Sequence, residues 1–294
     1  MAIETRYWNR IGRIRIEGPD GNMYEYGNDS NSLDFKFKVE KFCGNVFVMF
    51  SVGVLGLSPT TINFLATWNI AKALKNPRKI EVYAGYESDG RAPLIAKGFI
   101  VNAIPTTPPD MWLNIEAINL AYEGKSSVSS REIIQRESQI TTVRKAFEDL
   151  ARYIDLDPVW RVELSDGDRK IRIPKFVCDK SEIITLFANT LDILIEIEGD
   201  LLVAHDKKGW YGTPTNPHDI SLETGMIEIS HVDIAGAKIK TRLDDSRKVF
   251  SWVNLTSKLI PKASGLYYVI GKTDVGHLRG EEWYTELDLI RKVM

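Results

Sequence analysis

Residues 80–86 read Ile80-Glu-Val-Tyr-Ala-Gly-Tyr86, and after a polar turn come Leu94-Ile-Ala-Lys-Gly-Phe-Ile-Val101 and Met111-Trp-Leu-Asn-Ile-Glu-Ala-Ile118. In the first segment Ile80, Val82 and Ala84 alternate with Glu81, Tyr83 and Gly85. In the last, Met111, Leu113, Ile115 and Ala117 alternate with Trp112, Asn114 and Glu116. A period of two marks half-buried strands. The gap Glu87-Ser-Asp-Gly-Arg-Ala-Pro93 is made of turn formers, and the second gap holds Pro105, Pro108 and Pro109, which a central strand excludes. Three consecutive antiparallel strands follow, as in a sheet, barrel or sandwich.

Upstream, Arg13-Ile-Arg-Ile-Glu17 and Met23-Tyr-Glu-Tyr26 flank the turn Gly18-Pro-Asp-Gly21 and read as a hairpin. Leu33, Phe35, Phe37 and Val39 alternate with Asp34, Lys36, Lys38 and Glu40, one face for a core and one for water. The apolar run Val46 to Leu57 is broken by Gly53 and Gly56, which predicts a bulge or bend. Ser58-Pro59 starts a helix expected to run to Leu74, with Lys72, Lys75, Arg78 and Lys79 at its exit.

Composition shifts after Ala121. Glu123 to Ser130 is polar and serine-rich and reads as a linker. Val143, Ala146, Phe147, Leu150, Ala151 and Ile154 form a helical stripe. Arg169 to Ile173 reads as a strand, and Asp179 to Glu182 as a capping box before a second helix through Leu191. Ile193 to Ile197, a Glu198-Gly-Asp200 turn and Leu201 to Ala204 make a hairpin. Strands return at Ile227–Ser230, Ala237–Leu243 and Val249–Leu255, and the chain closes with a long hairpin from Gly265 to Leu287. The first and last thirds show no direct sequence repeat.

The order and wording of these segments resemble the baseplate hub proteins of tailed bacteriophages. Three places carry the resemblance. One is the strand ending Ala84-Gly-Tyr86 before Lys97-Gly-Phe-Ile100. The second is the helix–strand–helix–acidic hairpin of the middle region. The third is the closing hairpin with Tyr267, Val269, Gly276-His277, Arg279-Gly280, Trp283, Thr285 and Leu287. The resemblance implies a mainly β fold with an α+β insert: two tail-tube-like antiparallel β-barrels, residues 1–122 and 209–294, and a small α+β domain, residues 123–208. It also implies a homotrimeric ring that joins a sixfold tail tube to a threefold central spike. Its partners would be the tube protein, the spike, other baseplate proteins and, in transit, genomic DNA. The location it implies is the virion tail baseplate. At 294 residues the chain is compact for such a hub.

Hydrophobic residues make up 44% and charged residues 27%, an ordinary soluble globular balance. Formal net charge is −2, and no strongly basic domain marks sequence-specific nucleic-acid binding. No run of 18 apolar residues reaches membrane-span length. The N-terminus, Met1 to Trp8, lacks the apolar core of a signal peptide, so synthesis in the host cytoplasm is expected. Two distant cysteines, Cys43 and Cys178, do not make a disulfide framework.

Enzyme chemistry has thin support. His205, His218, His231 and His277 contain no helical zinc pair. Asp233, Asp244, Asp245, Glu281 and Glu282 are the carboxylates that a glycosidase pair would draw on, but such residues more often form solvated strand faces. No phosphate loop or nucleophile elbow accompanies Gly199, Gly209 or the serines 126–130. Trp8, Trp112, Trp210, Trp252 and Trp283 suit barrel core and interface anchoring better than sugar stacking. No catalytic, cofactor-binding or metal residue is therefore expected. Trp112 and Trp283 are the expected exposed anchors between copies. The alternatives to a hub are a tail-tip cell-wall hydrolase and a carbohydrate-binding β-protein.

Overall fold

The computed structural model describes residues 9–27, 33–44, 48–67, 77–107, 109–119, 133–154, 156–161, 167–179, 183–198, 201–207 and 216–292. The linker at 123–130, Trp8, Trp210 and Lys72–Lys75 lie outside the described residues, as does the end of the expected capping box.

The first β unit opens with the hairpin β1 (Arg10–Glu17) and β2 (Met23–Gly27). It continues through β3 (Asp34–Phe42) and β4 (Met49–Leu55). Ser58 caps α1 (Pro59–Leu65) by accepting from the Thr61 N–H. This helix ends at Leu65, and Thr67 then exchanges both backbone bonds with Ala103. The expected stretch from Asn69 to Leu74 is outside the described residues. β5 (Lys79–Tyr86), β6 (Leu94–Pro105) and β7 (Trp112–Ile118) complete the unit. β6 runs four residues past the expected Val101 because a bulge at that residue lets it bend and continue along β7.

The insert contains β8 (Ile133–Arg136), β9 (Gln139–Thr142), α2 (Val143–Tyr153), β10 (Asp157–Arg161), β11 (Lys170–Ile173), β12 (Phe176–Asp179), α3 (Ile183–Leu191), β13 (Ile193–Glu198) and β14 (Leu201–Asp206). The predicted stripe of α2 is buried throughout, and it packs with α3, Ile195 and Leu202 in a core of its own. β10 adds in parallel to β14, a pairing the sequence did not announce.

The second β unit is β15 (His218–Ile220), β16 (Met226–Val232), β17 (Gly236–Arg242), β18 (Trp252–Leu255), β19 (Gly265–His277) and β20 (Trp283–Arg291). The two units belong to one 13-stranded sheet. β3, the last strand on its side of the first unit, pairs with the C-terminal half of β19, from Gly271 opposite Phe42 to His277 opposite Lys36.

The units repeat each other in strand order. The first runs β3-β4-β7-β6-β5-β1-β2 and the second β16-β17-β20-β19-β18-β15. Even the irregularity is repeated: β6 skips Val101 against β7, and β19 skips Ile270 against β20. The periphery differs, since β1 joins β5 antiparallel while β15 joins β18 parallel.

Alternation decides which face is buried. Phe35, Phe37 and Val39 are in the core while Lys36, Lys38 and Glu40 are exposed. Gly53 is not the bulge its type suggested, because β4 pairs in regular register with β3 and β7 on both sides. A Cβ there would come within 2.8 Å of the Lys36 side chain. The glycine instead leaves room for Lys36 to lie across the Trp112 ring, 4.8 Å from its centre. Phe37→Ala removes a ring that packs on Phe35 and Trp283, and a loss of about 3–5 kcal/mol is expected. A urea midpoint within error of the parent would contradict this packing.

Candidate functional site

A series of close contacts and buried polar groups lies along the seam where the two units and the insert meet. Strand β19 changes partners there. Its first residues pair with β18 and its last with β3, and the Cys43 N–H donates to the Ile270 carbonyl at the changeover. Close approach requires glycine at two points. A Cβ on Gly271 would meet the Phe42 ring at 2.8 Å, and one on Gly276 would overlap the Phe37 ring.

Trp283 closes the far end of the seam. It is 4% exposed, stands edge-on to Phe37 and reaches over Gly12 of β1. It is core, not the exposed anchor between copies expected from sequence. Two glycines far apart in sequence, Gly12 and Gly276, make the hole that receives it. Tyr86 donates its O–H to the Trp283 carbonyl, and Arg10 donates to the carbonyls of His277, Gly280 and Glu281. Trp112 is half-buried between Lys36 and the edge of His277. His277 Nε2 is 2.9 Å from Asp34 Oδ2, which ties β19 to β3 again.

At the insert side is a cleft of about 280 Å³. Lys41, Lys272, Asp274, Glu196, Glu198 and Lys248 line it, together with Leu94 and Ile95. Lys272 and Asp274 are both buried, 3.3 Å apart. The Lys272 ammonium donates to the Asp244 carbonyl, and Asp274 accepts from Thr285 at 2.6 Å. Lys41 donates to the Ile95 carbonyl. Burial pushes its pKa down, and the neighbouring Lys272 adds to the effect. Burial also raises the Cys43 thiol to about 11, with Glu196 contributing. That thiol is therefore a poor nucleophile at neutral pH.

Glu198 binds both sides of the cleft. It accepts a bidentate pair from Arg161 at 3.1 and 3.2 Å and a further bond from Lys248 of the second unit. Burial works to raise its pKa, but these cations outweigh it and hold the carboxyl below its ordinary value. Beside it, His205 of the insert stacks on Phe250 of the second unit at 3.8 Å, with Glu196 Oε2 3.3 Å from its Nε2. Phe250 adopts a positive φ of 66° to present its ring. Asn119 links the first unit to the insert, donating to the Ile197 carbonyl and accepting from the Val48 N–H.

The candidate catalytic side chains are not brought together. Asp233 closes a turn by accepting from Ala235 and Gly236. Burial raises the Asp244 pKa, but Arg247 and Ser246 more than offset this and it is lowered overall. Asp245 is near Arg91, and Glu281 and Glu282 lie in the exposed β19–β20 turn. His205 and His277 belong to separate ends of the seam, and His218 and His231 are exposed. Among the described residues no three His, Cys, Asp or Glu side chains converge as metal ligands would.

Solved structures share this fold. A tail protein from Neisseria meningitidis MC58 superposes with a TM-score of 0.58 at 10% identity, covering 97% of each chain. The 43 kDa tail protein of prophage MuSo2 from Shewanella oneidensis gives 0.55 at 9% identity, over 95% of this chain and 97% of that one. The E. coli c3393 protein is a type VI secretion component described as structurally similar to T4 tail proteins gp27 and gp5. It gives 0.57 at 9%, over 88% of this chain and 74% of the other. A search of the curated proteins found no match. The fold class is thus that of phage tail proteins. Within it, the family model described as "Baseplate hub gp41" matches residues 16–279, and the chain belongs to that baseplate hub family.

Two measurements probe the seam. Lys272→Met leaves Asp274 buried without its cation, and a loss of about 3–5 kcal/mol is expected. Lys272→Met combined with Asp274→Leu should recover much of that loss in urea titration; additive losses would contradict the pairing. Glu198→Gln removes a carboxylate whose folded pKa lies below its unfolded value. The stability it contributes, about 1–2 kcal/mol, is present above the ordinary glutamate range. It is lost as pH falls through the depressed folded pKa. Parent and Glu198→Gln urea midpoints should therefore differ at pH 7 and converge under acid.

Proposed function

We propose that the chain is a structural, non-enzymatic hub that assembles as a homotrimeric ring between a sixfold tail tube and a threefold spike, leaving a channel for DNA. The observation that carries this is the repeated strand order of two units fused in one sheet. Three such chains present six similar β units, and a closed ring satisfies every head-to-tail contact. On this reading residues 1–122 and 209–294 are tube-like domains and 123–208 the insert between them. The tube protein, the spike and other baseplate proteins are the partners, in the virion tail.

Charge on the sheet supports a conduit. Lys38 is 2.8 Å from Glu40, and Lys238 is within 3.7 Å of both Glu286 and Asp288. Cations held by carboxylates are poorly placed to take up phosphates, and each phosphate contact would slow passage. The seam supports a structural role too, because the Lys248–Glu198 and Asn119–Ile197 hydrogen bonds join the insert to both β units.

Light scattering over a concentration series, with electron microscopy of the same sample and of tails, tests the ring. A trimer with a passage wide enough for a duplex is expected. A monomer within assembled tails, or a ring with no passage wide enough for a duplex, would overturn the proposal. Incubation of the pure chain with peptidoglycan should give no turnover. Turnover abolished by Glu281→Gln or Asp244→Asn would favour the hydrolase.

A further inference from the structure

The internal repeat shows that the insert covers one end of the first unit and leaves the matching end of the second bare. Ile100 and Val269 stand just before the skipped residues of β6 and β19, and they pair with Ala117 and Leu289. Ala117 pairs in turn with Phe50, and Leu289 with Ala237. Counting outward from these, Asn119 matches Arg291 and Val48 matches Ala235. One backbone bond verifies the match: the Asn119 N–H donates to the Val48 carbonyl, and the Arg291 N–H to the Ala235 carbonyl. In the first unit Asn119 also donates to the Ile197 carbonyl of the insert, and Val48 is buried. Leu94 to Lys97 share the cleft there with Glu196 and Glu198. In the second unit Ala235 is exposed, and Leu94 to Lys97 are matched by Ala263 to Leu266, at the foot of an exposed loop.

We infer that this end of the second unit docks an acidic, aliphatic β-hairpin of another tail protein, seated as β13–β14 is seated on the first unit. The inference rests on the hub reading and adds a surface for a partner other than the chain itself. The chain's own hairpin is already used on its first unit, so a second cover has to come from elsewhere.

Exposure supplies an independent observation. Ile234 is 95% exposed, Leu259 83%, and Ile260 and Leu222 39% each. The backbone that displays them is held in place. Asp233 accepts from the Ala235 and Gly236 N–H groups. In the 256–264 loop Ser257 accepts from the Ile260 N–H, and Ser264 from the Ser257 N–H. Arg291 joins the two segments, since its backbone reaches Ala235 while its guanidinium donates to the Lys262 and Ser264 carbonyls. Glu223 joins the turn bearing Leu222 to the same loop through Lys258, at 2.7 Å. Bare aliphatic side chains on such a backbone mark a contact. Charge selects the partner. Arg291 is spent on carbonyls and Lys292 lies over the Trp252 ring. Among the described residues neither they nor the exposed Lys262 meets a carboxylate, although the whole chain carries −2. The insert shows the matching chemistry. Its hairpin reads Ile195-Glu-Ile-Glu198, and Glu198 accepts from Lys248 of the second unit. Aliphatic residues alternating with carboxylates complement an apolar end rimmed by cations.

The test is photocrosslinking in assembled tails, using the full chain with p-benzoylphenylalanine in place of Leu259. Mass spectrometry of the crosslinked peptides is expected to find a segment of another tail protein in which aliphatic residues alternate with Asp or Glu. Adding Ile234→Asp and Lys262→Glu should lower that crosslink at least about tenfold and leave the melting temperature of the chain within a few degrees of the parent. An undiminished crosslink, or one to a segment without carboxylates, would overturn the inference. Crosslinks confined to other copies of this chain, or none, would overturn this surface and leave the hub reading intact. A chain absent from tails would overturn both. As a second measurement, the parent is sedimented with phosphatidylglycerol vesicles and is expected to stay in the supernatant. Sedimentation that Leu259→Asp abolishes would assign the loop to a lipid surface and overturn the inference.

Discussion

The backbone pairing of β3 with β19 is the contact on which the molecule depends. It joins residues 34–42 to residues 265–277 and turns two sheets into one. Closing so long a loop costs entropy that grows only slowly with length, but that cost must still be offset locally. The offset comes from apolar burial at the same place. Phe35, Phe37, Val39 and Trp283 are all in the core of the first unit, although Trp283 belongs to the second. The seam also dictates composition. Strands brought this close, with rings between them, leave no space for side chains at Gly271 and Gly276.

Local pattern made most elements legible. The alternation in β3, β5 and β7 and the stripe of α2 each depend on residues within one element, so sequence alone exposes them. The fused sheet has no such signature, because β3 and β19 each read as ordinary half-buried strands whichever partner they take. Trp283 shows the same limit. Its burial depends on Gly12 and Gly276, which converge only after folding. The repeat escaped for a related reason. Equivalent strands share register and a bulge, while the residues that fill them differ, as Lys36 and Glu228 do at matching positions.

Charged residues were harder to place. Lys272 and Asp274 occupy alternate positions of one strand, and that spacing fits a solvated face as well as a buried one. What decides the matter is the insert and the 244–250 loop, which cover that stretch of the seam. A buried pair is costly to desolvate and contributes little net stability. Its hydrogen bonds to the Asp244 carbonyl and to Thr285 are directional, however. Directional bonds fix this stretch of β19 against β20 and the 244–250 loop more narrowly than apolar contact does.

The likeness and the difference between the two units bear on the proposed hub in opposite ways. Equal strand order, with equal bulges in β6 and β19, lets both units offer a similar sheet to a sixfold tube. The periphery is unequal. β1 and β2 form an antiparallel hairpin on β5, β15 is a short parallel addition to β18, and the insert is docked by Glu198 and His205 onto the second unit. Six similar sheets with two alternating kinds of margin have only threefold symmetry. On the proposed reading, adaptation between tube and spike needs no conformational change, since both symmetries are built into a single rigid chain. The rigidity comes from the seam, because a hinge between the units would have to break the β3–β19 ladder and expose Phe37 and Trp283 together.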